Sequence, residues 1–464
     1  MQVPILSGIY TSEAGDFRVA YPVNLTPVPV TNGISAGYLR PADGIVSYGT
    51  GPGVDRGGIE WNGACYRVMG TKLVRVESDG SIVLLDDIPG TGQVTMDYSF
   101  DRLAIAADGV LYYWTGSALQ AVTDTDIGTV LDVVWVDGYF MTTDGEFLVV
   151  TELTDPTQVN PLKYGSSEAD PDPIKAVLKL RNEPHALNRY TIEAFDNIGG
   201  DFFPFGRIEG AQIQKGTVGT HACCLFADAI AFVGGGRNEA VSVYIGANGQ
   251  AQRIATREID LLLSDLTDTQ LSQILTEART ENGHQMLYIH LPDRCLVYDL
   301  GASKVLGEPV WTILSSAASG FAQYRAKNHV YCYGRWIVGD PTSNKYGYLT
   351  DQVSTHYGDM TGWEFSTLII YNEGRGAVVH ELELVSLTGR TNNDPVVWTS
   401  YSTDGVTWSA EKSRPAGKYG ERNRRIAWLQ QGILRPWRIQ RFRGTSDAHI
   451  SVSRLEAQVE GLYA

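Results

Sequence analysis

The residues whose types suit metal chemistry come together at one point of the sequence, where His221 precedes Cys223 and Cys224. Imidazole and thiolate groups are the usual ligands of a structural zinc ion, which takes four of them. Adjacent cysteines on a strand point to opposite faces, and no fourth ligand follows at a useful spacing. We therefore expect no metal here. The odd total of five cysteines indicates buried free thiols in a protein made in a reducing compartment.

Other sequence signals for cofactor binding are incomplete. The sequence has no phosphate-binding loop with Lys followed by Ser or Thr, and no His-Glu-x-x-His zinc helix. Residues 234–237, Gly-Gly-Gly-Arg, follow an apolar strand but lack the lysine and the helix that a phosphate site requires. Asp124 and Asp126 match only a short fragment of a calcium-binding loop, which is too little to predict a calcium site. We predict that the protein is not an enzyme and that it binds no cofactor, and the sequence assigns no metal ligands and leaves open whether a metal is bound.

Residues 402–408, Ser-Thr-Asp-Gly-Val-Thr-Trp, are close to the Asp-box hairpin turn of sialidase-like propellers. In that turn the aspartate organises the backbone and the tryptophan packs beneath it, so the motif is structural even in enzymes. A glycosidase needs two carboxylates facing one cleft, and the sequence has acids in many turns without marking a pair. We predict a structural turn, and a carbohydrate-binding or glycan-processing β-propeller remains the alternative function.

A basic segment between Glu411 and Arg443 departs most from the rest of the chain. It contains ten basic residues and two acidic ones, against a net charge of −16 for the whole protein. Because arginine and tryptophan are common anchors of protein interfaces, we interpret this segment as a partner interface. A solvated face of the sheet and a DNA contact are the alternative interpretations. The predicted partner interface consists of Arg414, Arg422, Arg424, Arg425, Arg435, Trp437 and Arg438.

The composition predicts many short strands joined by many turns. The chain has 464 residues, among them 50 Gly and 19 Pro, with 10% aromatic and 19% charged residues. A net charge of −16 argues against a general DNA-binding protein, because phosphate binding depends on clustered Lys and Arg. The sequence has neither a signal-peptide pattern nor an apolar run of about 18 residues, so we expect a soluble protein without a membrane anchor.

Hairpins recur along the middle of the chain at the spacing of four-stranded propeller blades. The clearest unit has apolar strands over residues 286–291 and 295–298, a turn at 292–294 and a further strand over 310–313. A hairpin cannot bury both of its faces alone, so copies must lie beside it. Comparable units turn at Asn62-Gly63, Asp101-Arg102, Asp137-Gly138 and Asp228, and others span 174–195 and 322–333. We predict seven blades, with six as the alternative.

The predicted fold is all-β and has three parts. Residues 1–55 are rich in Pro and Gly and form an extended amino-terminal arm. Residues 56–350 form the β-propeller. Residues 351–464 contain longer alternating strands and form an antiparallel β-sandwich.

One short helical insertion is expected in the propeller at residues 265–282. Thr267 and Gln270 have the spacing of a capping box, and apolar residues follow at helical intervals. The pair Asn282-Gly283 is expected to end this helix. The apolar stripe of the helix would then pack on the neighbouring blades.

Several blocks of sequence together resemble one family, the packaged-DNA stabilisation proteins, or tail hubs, of short-tailed bacteriophages. The blocks keep their order and approximate spacing between residue 20 and about residue 300, and none is a catalytic motif. Residues 155–210 depart most from the family pattern. The matching residues are Tyr21-Pro22-Val23-Asn24, Gly37-Tyr38-Leu39-Arg40, Gly44-Ile45, Arg56-Gly57, Tyr66-Arg67-Val68, Lys72-Leu73, Gln214-Lys215-Gly216, Gly219-Thr220, Phe226-Ala227-Asp228, Ala231-Phe232, Ile254-Ala255-Thr256, Ile289-His290-Leu291-Pro292, Leu296-Val297-Tyr298-Asp299 and, in the sandwich, Thr403-Asp404-Gly405.

The resemblance implies a structural protein of the virion, located in a short non-contractile tail and made in the host cytoplasm. Such hubs are expected to form a hexameric ring below the portal and adaptor ring, and to help close the channel after the genome is packaged. They also form the platform for the tail needle or plug and for tailspikes or fibres. The DNA is expected to pass through the channel without sequence-specific binding.

Overall fold

The computed structural model describes residues 2–13, 15–30, 35–200, 202–391, 394–435 and 437–462. Within these residues the chain forms a β-propeller followed by an antiparallel β-sandwich, which confirms the predicted fold class. Six strands precede the first blade. They are β1 Gln2–Val3, β2 Gly8–Thr11, β3 Phe17–Ala20, β4 Leu25–Pro29, β5 Gly37–Pro41 and β6 Gly44–Thr50.

The first four blades are four-stranded antiparallel sheets. Blade 1 contains β7 Asp55–Trp61, β8 Ala64–Met69, β9 Lys72–Val76 and β10 Ile82–Asp87, and blade 2 contains β11 Thr95–Tyr98, β12 Leu103–Ala107, β13 Val110–Trp114 and β14 Leu119–Ala121. Blade 3 contains β15 Asp132–Val136, β16 Tyr139–Thr143, β17 Phe147–Thr151 and β18 Val159–Ser166, and blade 4 contains β19 Ile174–Leu180, β20 Glu183–Asn188, β21 Ile192–Asn197 and β22 Phe205–Arg207.

Three further blades complete a ring of seven. Blade 5 contains β23 Gly216–Thr217, β24 Cys223–Phe226, β25 Ala229–Gly235, β26 Ser242–Ala247 and β27 Gln250–Arg253. Blade 6 contains β28 Leu275–Glu281, β29 His284–His290, β30 Cys295–Asp299 and β31 Val310–Leu314. Blade 7 contains β32 Lys327–Cys332, β33 Arg335–Gly339 and β34 Lys345–Thr350, with β6 as its fourth strand.

The turn residues that predicted the hairpins adopt the backbone conformation that such turns require. Asn62 and Gly63 have φ values of 51° and 77°, and Asp137 and Gly138 have 49° and 91°. Two successive positive φ values are the mark of a type I′ turn, whose twist matches that of the flanking strands. These short turns fix the register of the blades.

Each pair of neighbouring blades encloses its own apolar core, and the seven cores close a ring. Strand β12 shows why, because all five of its residues are buried. Leu103 and Ile105 face blade 1, whereas Ala104 and Ala106 face blade 3. A blade strand is therefore apolar on both sides, and removing one blade would expose the faces of two others.

The predicted helix at 265–282 is only partly right. The capping box of Thr267 and Gln270 is present, but it begins a single-turn helix, α2 (Asp268–Ser272), which follows α1 (Arg257–Ser264). Residues 275–281 form β28 instead, because Asn282 and Gly283, with φ values of 50° and 82°, make the hairpin turn to β29. A third helix, α3 (Leu300–Leu306), follows β30. None of the helices within the described residues has the length and apolar character needed to cross a membrane.

The sandwich consists of two sheets around one core. Its strands are β35 Gly362–Ser366, β36 Ile370–Tyr371, β37 Ala377–Leu387, β38 Val396–Ser402, β39 Lys412–Pro415, β40 Ile426–Leu429, β41 Ile433–Leu434, β42 Trp437–Thr445 and β43 Ser451–Gly461. One sheet has the order β4-β5-β43-β37-β40, with β1 on β43 and β41 on β37. The other has the order β35-β42-β38-β39, with β36 on β42.

The arm expected over residues 1–55 is not a separate unit. Val3, Ile5, Leu25 and Leu39 are buried in the sandwich core, and β6 completes blade 7 by pairing with β34. The prolines exclude long ladders, as expected, but short strands suffice to fill gaps in both units. The first 50 residues therefore connect the propeller to the sandwich.

The connection is closest at Val23 and Asn24, which lie between β31 of blade 6 and β35 of the sandwich. The Val23 amide donates to the Glu364 carbonyl at 2.8 Å, and the Asn24 amide donates to the Ile313 carbonyl at 2.8 Å. The buried Asn24 side chain donates to the carbonyls of Ser315 (2.8 Å) and Gly362 (2.7 Å). Its oxygen accepts the Ser315 amide at 2.9 Å.

We expect Asn24→Ala to lower the free energy of unfolding by about 3 kcal/mol, because it leaves three buried backbone groups without their partner. Chemical denaturation monitored by tryptophan fluorescence measures this loss. Asn248→Ala is the matched control, since Asn248 also has a positive φ, of 51°, but lies on an exposed turn. Equal destabilisation by the two substitutions would attribute the effect to backbone strain and would contradict the prediction.

A buried ion pair of blade 1 is hydrogen-bonded to blade 7 through Asn328. Arg67 donates from Nε and Nη2 to the two oxygens of Asp55, both at 2.7 Å, and the two side chains are 0% and 1% exposed. Asn328 of blade 7 donates to Asp55 at 2.6 Å and accepts from Arg67 through its carbonyl at 3.0 Å. The two charges thus compensate each other within blade 1, and their hydrogen bonds with Asn328 cross the seam between the first and the last blade.

Asp55→Asn is expected to destabilise the protein by about 3–5 kcal/mol, because the Arg67 charge stays buried without a counterion. The midpoint of urea denaturation reports this change. Asp87→Asn, which breaks the exposed pair of Lys72 and Asp87, should cost less than about 1 kcal/mol. A loss at Asp55 no larger than that at Asp87 would refute the stabilising role of the buried pair.

Candidate assembly interface and buried polar cluster

The structure distributes the predicted basic interface over both sheets of the sandwich. Five of its seven residues are exposed, Trp437 is half-buried and Arg438 is buried. Strands β39 and β42 belong to one sheet, whereas β40 belongs to the other. The segment therefore does not form one continuous basic face. The exposed members are Arg414, Arg422, Arg424, Arg425 and Arg435.

Arg438 was wrongly assigned to the interface, because its side chain lies inside the sandwich. Its guanidinium carbon is 4.1 Å from the centre of the Tyr401 ring. It donates to the Gln440 side chain at 2.9 Å and to the Gln431 carbonyl at 2.6 Å. Burial lowers its pKa to about 10, with Tyr401 opposing that shift. Residues alternate between the two faces of β42, so Trp437 and Arg438 point in opposite directions.

Several other cations of the segment are paired with neighbouring side chains. Arg441 stacks on Trp408 at 4.3 Å, and Arg443 stacks on Trp398 at 4.8 Å. Glu411 accepts two hydrogen bonds from Arg443. These arginines stabilise the outer face of their own sheet, which reduces the charge that the segment offers to a partner.

Arg425 is also neutralised by neighbours. Its guanidinium donates to both oxygens of Glu383, at 2.8 and 2.5 Å, and to Glu381 at 2.7 Å. The two glutamates lie on β37, which pairs with β40 next to the arginine. Arg425 therefore ties two strands together and carries little free charge.

Three of the remaining cations lie in residues 416–424, which we call the basic loop and which also contain Glu421. Lys418, Arg422 and Arg424 are exposed there, and none of them has a salt bridge to another residue that the structure describes. Tyr419 between them is 68% exposed. The Gly420 amide donates to the Gly389 carbonyl at 3.0 Å, which anchors the loop. The basic loop is thus held in place while its cations face solvent.

The Asp-box-like segment forms the structural turn that its sequence predicted. The Asp404 carboxylate accepts the amides of Val406 (2.9 Å) and Thr407 (2.8 Å) and the Thr407 hydroxyl. These hydrogen bonds, that of the Thr407 hydroxyl first, hold the pKa of Asp404 well below its usual range. Gly405 abuts Thr11 of β2, so the turn packs against the amino-terminal hairpin. The carboxylate is committed to its own turn.

Residues 33–37 read Gly-Ile-Ser-Ala-Gly, the spacing of a hydrolase nucleophile turn. In hydrolases that turn joins a strand to a helix, whereas Ser35 lies two residues before the start of β5. The Ser35 hydroxyl donates to the carbonyls of Gly37 and Ser453, and no described histidine is its hydrogen-bond partner. Residues 33 and 34 lie outside the described part of the chain. Within the described residues, this serine is therefore not paired with the base that nucleophilic catalysis requires.

The candidate zinc residues at positions 221–224 are separated by the fold. Cys223 packs between blades 4 and 5, whereas Cys224 packs against the core between blades 5 and 6. Burial lowers the pKa of His221 to about 4, and the nearby Lys327 adds to this effect. All five cysteines are free and four of them are buried, in agreement with the prediction made from their odd number.

A different polar cluster, which sequence reasoning missed, lies between blades 6 and 7. Glu277 on β28, His290 on β29 and His329 on β32 place one donor atom each within 4.8 Å of one another. Glu277 Oε2 is 2.8 Å from His290 Nε2 and 2.9 Å from His329 Nδ1. The backbone amide of His329 donates to the other carboxylate oxygen at 2.7 Å. The side chains are 12%, 2% and 1% exposed.

The charges in this cluster follow from burial and from these contacts. Although burial alone would raise the pKa of Glu277, the two imidazoles hold it well below its usual range. Burial lowers the pKa of His290 to about 4, and Glu277 opposes that shift. Burial also lowers the pKa of Lys327, which interacts with Glu277. No sequence pattern marked this cluster, because Glu277 was assigned to a helix and His329 is distant along the chain.

Two family models match the chain, the β-propeller of bacteriophage P22 Gp10 over residues 1–354 and the β-sandwich of the same protein over residues 362–460. The tail hub protein gp10 of Salmonella phage P22 is 28% identical over 459 residues, which cover 94% of each chain.

Solved structures show distant similarity. The computationally designed Ika8 protein matches 66% of this chain and 100% of its own, at 12% identity and a TM-score of 0.39. The WD40 domain of Pan2 from Neurospora crassa matches 66% of this chain and 93% of its own, at 10% identity and a TM-score of 0.39. Because one family model spans most of the sequence and the second covers the sandwich, the chain belongs to the bacteriophage P22 Gp10 family.

Proposed function

We propose that this protein is a structural tail hub of a short-tailed bacteriophage virion and not an enzyme. The observation that carries the proposal is the 28% identity to the tail hub protein of phage P22 along 94% of both chains. Propeller and sandwich occur in the same order as in that family. A match to the propeller alone would support this function less strongly, because propellers serve many unrelated functions.

The construction of the chain suits an assembly component. The blades form a closed ring whose seven cores are shared between neighbours, and the sandwich is attached through Val23 and Asn24. The Asp404 carboxylate, which motivated the glycan-processing alternative, is committed to its own turn. A two-part body with exposed cations on its sandwich is suited to binding partners.

In finer detail, we propose that the hub forms a hexameric ring below the portal and adaptor ring, and that this ring helps retain the packaged DNA. It would also carry the tail needle or plug and the tailspikes or fibres. The net charge of −16 supports a channel that DNA crosses without specific binding, since acidic walls repel phosphate. The basic loop, with Arg414 and Arg435, is the proposed partner contact.

The mass of the purified chain, alone and mixed with the portal and adaptor rings, tests the hub proposal. We expect the chain to join the rings in about six copies, the count of a hexameric ring. Native mass spectrometry or analytical ultracentrifugation gives this count. A chain that stays monomeric and ignores both rings would contradict the proposal.

Charge reversal in the basic loop tests the proposed contact. We expect Arg422→Glu with Arg424→Glu to weaken binding to the partner rings by at least about tenfold, because a cation opposite an acidic patch becomes a like charge. Arg181→Glu with Lys304→Glu is the control, since both residues are exposed and the net charge changes equally. If both pairs weaken binding equally, the effect is one of net charge and the basic loop is not the contact.

A further inference from the structure

We propose that Glu277, His290 and His329 bind a divalent metal ion, with zinc the best fit, which links blade 6 to blade 7. The donor atoms are Glu277 Oε2, His290 Nε2 and His329 Nδ1, which lie within 4.8 Å of one another. Two imidazoles and one carboxylate form a common three-ligand set for zinc, with a fourth position left for water. The inference does not depend on the tail hub function.

The distances are close to those of a tetrahedral site. Zinc lies about 2.0–2.1 Å from such ligands, which places neighbouring donor atoms roughly 3.4 Å apart. The two carboxylate-to-imidazole distances are 2.8 and 2.9 Å. Each imidazole therefore needs to move about 0.5 Å farther from the carboxylate oxygen, and the two imidazole nitrogens already lie within 4.8 Å of each other.

Surrounding groups hold the ligands in these positions. The His290 ring is parallel to the rings of Tyr288 and Tyr324, with an angle of 17° in both pairs. The His329 ring lies 4.7 Å from that of Tyr288, and its backbone amide fixes the second oxygen of Glu277 at 2.7 Å. Such contacts around a site preorganise its ligands.

Glu277 is the ligand with the largest exposed fraction, at 12%. Both histidines are nearly fully buried, at 2% and 1%. This arrangement gives a tightly enclosed site in which the metal ties strands of two blades together.

Lys327 is the main group that opposes a cation. It lies on β32 two residues before His329 and is partly buried beside Glu277. A metal and a lysine ammonium compete for the same carboxylate charge. Lys327→Met is therefore expected to strengthen metal binding by about tenfold. If the cluster only forms hydrogen bonds and binds no metal, the same substitution should produce no measurable metal binding.

Metal binding by the full-length protein tests the site directly. The chain is stripped with a chelator, titrated with ZnCl2 by calorimetry, and analysed for bound metal after gel filtration. We expect one zinc per wild-type chain. His329→Gln and Glu277→Gln should each weaken binding by at least about 100-fold, since each removes one of three ligands.

His185→Gln is the matched control. His185 is a buried histidine of blade 4 whose Nδ1 lies 2.9 Å from the Glu183 carbonyl, and it has no part in the cluster. Its substitution should leave zinc affinity unchanged. Loss of zinc in the control, or retention of zinc by His329→Gln, would overturn the proposal.

X-ray absorption at the zinc edge of the wild-type protein decides the question even if a variant fails to fold. We expect nitrogen and oxygen scatterers only, with the pattern of two imidazoles. Cys224 and Cys295 lie near Glu277, so a sulfur ligand is the specific competing result. Sulfur in the spectrum, or no zinc bound by the wild-type chain, would refute the site.

Discussion

A propeller blade has two apolar faces, and both must be covered by other blades. This constraint explains most of the architecture, because seven separate cores lie between seven blades and each core is shared. The ring therefore depends on its closure. Strand β6 supplies the last strand of blade 7. At the seam between blades 1 and 7, the Asp55 carboxylate balances the charge of Arg67 and accepts a hydrogen bond from Asn328 of blade 7.

The proposed metal site lies at one of these boundaries between neighbouring blades. Glu277 and His290 come from blade 6, whereas His329 comes from blade 7. The core between these blades is lined by several aromatic residues, among them Tyr288, Tyr324 and Tyr357. A polar cluster at such a boundary must satisfy its own hydrogen bonds, and the carboxylate does so by accepting from both imidazoles.

Local sequence signals predicted the local structure well. Pairs such as Asn62-Gly63 and Asp137-Gly138 marked hairpins because few residues tolerate two positive φ values. The number of blades followed from counting these turns. The pair Asn282-Gly283 was misread as a helix end because the same residues also end helices, and only the pairing of β28 with β29 resolves the ambiguity.

Charge and site chemistry were harder to predict, because they depend on contacts between distant residues. The basic segment looked uniform in sequence, yet Arg438 is buried, Arg425 is held by two glutamates, and Arg441 and Arg443 stack on tryptophans. Only the folded sheets decide which cations remain free. Spacing alone likewise gave no indication that His290 and His329 share one carboxylate.

The use of the amino terminus by both units has a consequence for biosynthesis. Strand β6 leaves the ribosome early, but its partner β34 is made roughly 300 residues later, and β43, the partner of β1, later still. At about 5–20 residues per second, β6 waits on the order of 15–60 s without a partner. An unpaired strand edge is a site of aggregation during that interval. The ring can therefore close only when most of the chain has been made, and each unfinished chain carries the unpaired edge of β6 until then.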